Sequence, residues 1–186
     1  LMPKILFLTT AHTHFDDRIF YHQAKELVLN GFEVKICSLF SNFNEKIEGI
    51  DIESFDILNE SSTIKINKFK EICDFYQPDC VVCSEPIPVF AAHQFRKNKK
   101  ISIVYDITEW YPAMSMLEHD SFLMKFFHGI KFFLIQLYAG FLATHFIFGE
   151  ATKKFPLAYF FPFKKKITLP YYPDEKFISK NIKNLD

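Results

Sequence analysis

The sequence predicts an α/β protein with a Rossmann-like, doubly wound, mostly parallel sheet and helices on both faces. Three observations carry that prediction. Short apolar runs alternate along the chain with segments of helical periodicity, the pattern of successive βαβ units. Polar residues gather directly after several of the apolar runs, at the strand ends where open α/β sheets bind ligands. The chain has 186 residues, 49% of them hydrophobic, enough for one well-filled domain.

The elements follow in order. Ile5 to Leu8 is a first buried strand that ends at Thr9 and Thr10, and the loop from Ala11 to Asp16 has no glycine. A helix starts near Asp17, because Ile19, Phe20, Ala24, Leu27 and Val28 recur at helical spacing. Asp16 suits its N-cap, and Asp17 places acid at the positive end of the helix dipole. Gly31 closes this helix, and Phe32 to Leu39 is the second strand. Residues 41–63 are a polar, weakly patterned connection, with Ile50 to Ile57 alternating well enough for a third strand. Ile64 to Tyr76 is a helix stopped by Pro78, and Cys80 to Cys83 is a buried strand followed by the turn Ser84-Glu85-Pro86. Pro88 to Lys97 is a helix, Ile101 to Tyr105 a strand, and Asp106 to Pro112 a polar and aromatic loop. A long, very apolar stretch runs from Leu117 to Ala143. Thr144 to Phe148 is a strand, Glu150 to Phe155 a short helix and Lys166 to Leu169 a last strand. Residues 1–174 are read as one domain and 175–186 as a polar linker or tail.

Several function classes are excluded. Net charge is zero, which argues against a nucleic-acid partner. There is no glycine-rich dinucleotide fingerprint, no Walker-type phosphate loop, no Gly-x-Ser-x-Gly elbow and no His-Glu-x-x-His pair. The four cysteines lie inside apolar segments, as reduced, buried thiols of a cytoplasmic protein do. Cys80-Val-Val-Cys83 has redox or zinc spacing, but residues three apart on a strand face opposite sides and there is no second pair. A signal peptide is not expected, since a core strand begins within the first residues.

Three segments carry a resemblance. The first is His14-Phe-Asp-Asp-Arg-Ile-Phe, continuing to Ala24-Lys-Glu-Leu and Gly31-Phe-Glu-Val. The second is Val104-Tyr-Asp-Ile-Thr-Glu-Trp-Tyr-Pro. The third runs from Phe148-Gly-Glu to Ile167-Thr-Leu-Pro-Tyr-Tyr-Pro-Asp. In order and spacing they resemble the N-terminal domain of retaining glycosyltransferases of family 4, which have the two-domain GT-B fold. The resemblance implies an acceptor-binding domain. A nucleotide-sugar donor would be held by a second Rossmann-like domain, a C-terminal domain absent from this chain, and the piece alone would be inactive. The family's donor-binding glutamates have seven residues between them; Glu45 and Glu53 share that spacing by coincidence, in the wrong domain. Thr108 stands where the family often has a histidine, Gly149 where it has serine and Tyr171 where it has asparagine.

The residues expected to line the cleft are His12, His14, Asp16, Asp17, Arg18, Glu85, Asp106, Thr108 and Glu109. Arg18 suits an anionic group through bidentate hydrogen bonds, or an ion pair with a nearby carboxylate. His12 and His14 suit acid/base work or phosphate contacts, although alternating loop residues need not face the same way. No metal site and no cofactor bound by this domain alone are expected. The partners implied are a sugar or lipid-linked acceptor and the C-terminal domain. The excess phenylalanine in residues 122–143 suits either a buried helix, an interface with that domain, or peripheral contact with the inner face of a plasma membrane. The alternative to an enzyme is a non-catalytic module that binds carbohydrate, lipid or protein, for which Thr108 is the best support.

Overall fold

The structure, a computed structural model, describes residues 2–97, 99–108 and 121–170. Among them eight strands form one sheet: β1 (Lys4–Thr9), β2 (Glu33–Ser38), β3 (Phe43–Ile47), β4 (Ile50–Ser54), β5 (Cys80–Cys83), β6 (Ser102–Ile107), β7 (His145–Phe148) and β8 (Lys165–Thr168). Their order is β3-β4-β2-β1-β5-β6-β7-β8, and every pairing is parallel except that of β3 with β4. The order reverses between β1 and β5, and it is at the carboxyl ends of strands at such a switch point that open α/β sheets bind ligands. The Rossmann-like α/β class read from the sequence is the observed one.

Five helical elements connect the strands. The first, α1, is a π-helical segment, Asp17–Ala24, continued by an α-helical segment, Lys25–Leu29. The others are α2 (Ser62–Tyr76), α3 (Pro86–Arg96), α4 (Phe122–Leu142) and the single turn α5 (Leu157–Phe160). Strand alternation sorts the core into two layers. Ile5, Phe7, Val34, Ile36, Ile50 and Ile52 pack against Ile19, Phe20 and Ala24 of α1 on one face. Leu6, Leu8, Cys37, Val81, Cys83, Ile103 and Tyr105 pack against α2, α3, α4 and α5 on the other. Over the outer strands of the α1 face lie two apolar grooves of about 360 and 320 Å³ that share Cys80, Val104 and Ile147.

Four readings of the sequence change. The connection after β2 holds an antiparallel hairpin, β3–β4, whose two-residue turn places both Glu48 (φ 49°) and Gly49 (φ 84°) in the left-handed region. That is the primed turn whose twist matches a hairpin, and Glu-Gly marks it less clearly than Asn-Gly does. The helix before β6 starts two residues earlier, because Pro86 sits comfortably in a first helical turn. Asp106 belongs to β6 and not to the loop after it. Finally, Pro156 to Phe161 adds the turn α5 after a 3₁₀ segment, Ala151–Lys154. The boundary expected at residue 174 lies outside the described residues.

The two cysteines of Cys80-Val-Val-Cys83 face opposite layers, Cys83 among the α2–α3 core and Cys80 against the α1 side. Burial pushes the Cys80 thiol up to about 11, with Asp79 adding to the effect, so it is a structural thiol. Close helix packing depends on Gly140: a Cβ there would stand 2.5 Å from Leu157 Cδ2 and 3.0 Å from Phe161 Cε2. At Gly149 it would meet the Thr108 Cα at 3.5 Å, an ordinary contact. Gly140→Val is therefore expected to cost about 1–3 kcal/mol by overpacking, whereas Gly149→Ala stays within about 0.5 kcal/mol of the parent. Urea denaturation midpoints of the two variants check both.

Candidate functional site

The carboxyl edge of the sheet is organised around a buried ion pair. Arg18, in the first turn of α1, donates from Nε to Asp106 Oδ2 (2.9 Å) and from Nη2 to Asp106 Oδ1 (2.8 Å). Its Nη1 donates to the carbonyl of Leu169, just past β8 (2.8 Å). Gln23 Nε2 donates to the same Asp106 Oδ2 (2.7 Å). Arg18 is 7% exposed and Asp106 3%. The π-helical stretch explains how both donors reach one carboxylate. Residues 18 and 23 are five apart and would diverge on an α-helix, but an i→i+5 register brings them into line. The expectation that Arg18 presents its guanidinium to an anionic ligand is thus revised. Its fork is occupied by Asp106, and the partner comes from across the sheet, not from the neighbouring Asp17.

A second cluster lies on the loop after β1. Asp16 caps α1, its Oδ1 accepting from the amides of Arg18 (3.0 Å) and Ile19 (3.1 Å). Its other oxygen meets His12 Nδ1 at 3.0 Å. Burial alone would raise the Asp16 carboxyl, but the His12 ring and the two amides outweigh it and hold the carboxyl below its ordinary range. Glu85, at the start of α3, leaves its own helix uncapped and reaches back to β1. It accepts from Thr9 Oγ1 (3.2 Å), from the amide (3.0 Å) and hydroxyl (3.4 Å) of Thr10, and from the Ala11 amide (3.3 Å). His12 Nε2 stands 3.8 Å from Glu85 Oε1. The imidazole therefore lies between two carboxylates, and the Ser38 hydroxyl anchors its backbone carbonyl (2.6 Å).

The remaining candidates separate from this cluster. His14 turns away from His12 and stacks on Phe43 (4.2 Å, 19°), beside Phe15. Burial lowers its pKa. Asp17 is exposed in the first turn of α1, and Thr108 is half-buried at the end of β6 beside Gly149. Glu109 lies outside the described residues. Glu45 and Glu53 sit on the β3–β4 hairpin, where Glu53 pairs with the buried Lys35 (2.6 Å) together with Asp51 (2.9 Å). No group of metal-ligating side chains forms a cation site among the described residues. Sequence reasoning missed Gln23 and Ser38; the only signal for Gln23 was a polar residue on the inward face of a predicted amphipathic helix.

A conserved-domain description of glycosyl transferase 4-like proteins matches residues 4–137, from β1 into α4. The chain belongs to the glycosyl transferase 4-like family. No curated protein matches the sequence at a significant level. Among solved structures, sucrose-phosphate synthase from Thermosynechococcus elongatus is similar, with a TM-score of 0.65 at 10% identity over 94% of this chain and 49% of that one. UGT2 of Phytolacca americana, solved with UDP-2-fluoro-glucose and pterostilbene, is similar with a TM-score of 0.52 at 9% identity, over 93% of this chain and 54% of that one. At such identities the likeness is one of fold, the Rossmann-like unit of GT-B glycosyltransferases. The glycosyl transferase 4-like chain described here spans about half the length of either.

Two predictions follow from this geometry. Arg18→Met strands a buried carboxylate and is expected to lose about 3–5 kcal/mol, while Arg18→Met/Asp106→Leu recovers much of that loss; chemical denaturation of both variants measures the difference. The second concerns pH. Burial lowers the imidazoles of His14, His93 and His145, with Arg96 and Lys97 adding to the effect at His93 and Lys165 at His145. The unfolded chain then takes up protons that the fold refuses. Stability is expected to be full above pH 6.5, the ordinary value of these groups, and to fall as pH drops below it. Thermal melts across that range read the slope, and His14→Phe should flatten part of it.

Proposed function

We propose that this chain is the acceptor-binding, N-terminal domain of a retaining glycosyltransferase. The complete enzyme moves a sugar from a nucleotide-sugar donor to a polysaccharide or glycolipid acceptor, at the cytoplasmic face of the plasma membrane. The observation that carries the reading is the imidazole of His12 held between Asp16 and Glu85, at the carboxyl edge of the sheet beside the strand-order reversal, in a chain of this family. With Asp16 ionised, Nδ1 carries the hydrogen and Nε2, on the side of Glu85, takes up a proton; the imidazolium so formed can donate to a phosphate oxygen. The complex of UGT2 with a UDP-sugar analogue and pterostilbene supports a shared donor–acceptor logic for the fold.

In this reading a second Rossmann-like domain binds the nucleotide sugar, and the loop Thr10 to Asp16 lines the acceptor side of the cleft. Thr108 lies at the end of β6 on the same sheet edge. Closure of the two domains excludes water and favours transfer over hydrolysis. Residues 1–186 alone have no turnover. The second reading, a non-catalytic carbohydrate-, lipid- or protein-binding module, draws on Thr108 in place of the family's frequent histidine.

The test uses the full-length gene product with a panel of nucleotide sugars and a membrane lipid extract. Lipid-dependent release of nucleoside diphosphate is expected. His12→Ala and Glu85→Gln should each reduce it by roughly 10²-fold, the scale of a positioned acid/base group, in variants that circular dichroism shows to be folded. Release from no donor by a folded protein would favour the binding module.

A further inference from the structure

On the α1 face of the sheet, the two grooves of about 360 and 320 Å³ meet at Cys80, Val104 and Ile147. Each lies in the size range of small-molecule sites, about 300–1,000 Å³. From β8 to β1 their shared floor crosses four inter-strand steps, about 19 Å. Most of that floor is apolar: Ile5, Phe7, Val82, Val104, Ile147 and Ile167. The outer end differs. His145 of β7 and Lys165 of β8 are direct partners in the parallel register, so their side chains stand side by side on the groove face.

That end has positive charge and nothing to balance it. No carboxylate lies among the described residues that line the outer groove, and Lys165 makes no ion pair among the described residues. Lys166 also lines this groove, but its ammonium donates to the Pro162 carbonyl (3.0 Å). Burial lowers the pKa of His145, and Lys165 lowers it further. An anion placed between the two side chains reverses the second effect. The hydrogen of the His145 ring is fixed locally. Thr144 Oγ1 donates to the Ile103 carbonyl (2.8 Å), so towards His145 Nδ1 (2.8 Å) it only accepts. Nδ1 therefore carries the hydrogen, and Nε2 gains one when the ring is charged. The imidazolium Nε2 and the Lys165 ammonium are two donors, the number that suits the two oxygens of one carboxylate. Beyond them, each methylene laid on the strand floor leaves water.

We propose that these grooves bind one long-chain carboxylate, a free fatty acid, with its head between His145 and Lys165 and its chain across β6 and β5 towards α1. The site is separate from His12 and its two carboxylates. It stands on the chemistry of the strand face and not on the glycosyl-transfer reading, so fatty-acid binding and sugar transfer can fail separately.

Isothermal titration calorimetry with laurate, below its micelle concentration, tests the proposal on residues 1–186 and on the full-length gene product. Saturable binding at one site is expected for both. Octanoate should bind roughly tenfold or more weakly, having fewer methylenes to bury, and dodecyltrimethylammonium should not compete. Lys165→Glu, at an exposed strand position, should weaken laurate by roughly tenfold or more. Ile167→Ser should weaken it severalfold, and Lys165→Glu keeps the outcome decidable if that variant unfolds. Lowering the pH from 8 to 6, where laurate stays ionised, should tighten binding with uptake of a proton, and His145→Gln should remove that dependence. Lys153→Glu should leave binding unchanged. No binding of laurate would overturn the proposal. So would equal binding of laurate and dodecyltrimethylammonium, indifference to Lys165→Glu, or binding by residues 1–186 that the full-length product lacks because its own chain covers the grooves.

Discussion

The bidentate pair between Arg18 and Asp106 is the constraint on which the carboxyl edge of this sheet depends. It ties the first turn of α1 to β6, and through the Leu169 carbonyl to the chain just past β8. Two charges taken out of water gain little net stability, but a buried pair with every oxygen occupied tolerates few alternative arrangements. Gln23 completes that occupation, and its reach depends on the π-helical register of α1. A widened turn is an uncommon, costly geometry that tends to accompany functional sites. Here it serves to aim two side chains, five residues apart, at one acceptor.

What the clasp holds in place is the loop before α1. Asp16 caps the same helical turn that carries Arg18, so the orientation of that turn decides where the Asp16 carboxylate stands. His12 follows from Asp16, and Glu85 closes the arrangement from β5 by accepting from the amides and hydroxyls of β1 and its loop. The two clusters divide the labour of the edge. The buried one is fully internal, while the partly exposed one keeps an imidazole and two carboxylates at the carboxyl ends of β1 and β5. The glycosyl transferase 4-like domain thus achieves a polar sheet edge without a single glycine in its first loop.

The two faces of the sheet are not equivalent. Four helices cover one face, and among the described residues α1 alone covers part of the other, leaving apolar grooves over β5 to β8. Parallel sheets are stable when both faces are shielded from water. The grooves lie on the side of the sheet away from α4, lined by strand side chains and by residues of α1, with Lys165 and Lys166 at one and Glu26 at the other.

Much of this was legible in the chain. Period-two and helical patterns located seven of the eight strands and the four longer helices, because those elements bury continuous apolar faces and leave a periodic trace. The placing of Asp16 as a cap was legible for the same local reason: its bonds run to amides two and three residues away. Strand β3 left little trace, since it is short and mostly polar and the turn that joins it to β4 uses Glu-Gly. An ion pair was one of the two roles read for Arg18, and Asp106 was a candidate residue, but that each holds the other, with Gln23, was not legible. Arg18 and Asp106 are 88 residues apart, and nothing local distinguishes an arginine awaiting a phosphate from one that a distant carboxylate already holds. By itself the sequence determined the layers, the family resemblance and the candidate residues, which depend on neighbours along the chain. Only the tertiary structure decided which of those residues are clamped together in the interior and which remain partly exposed at the sheet edge, because that depends on partners that strand order alone brings into contact.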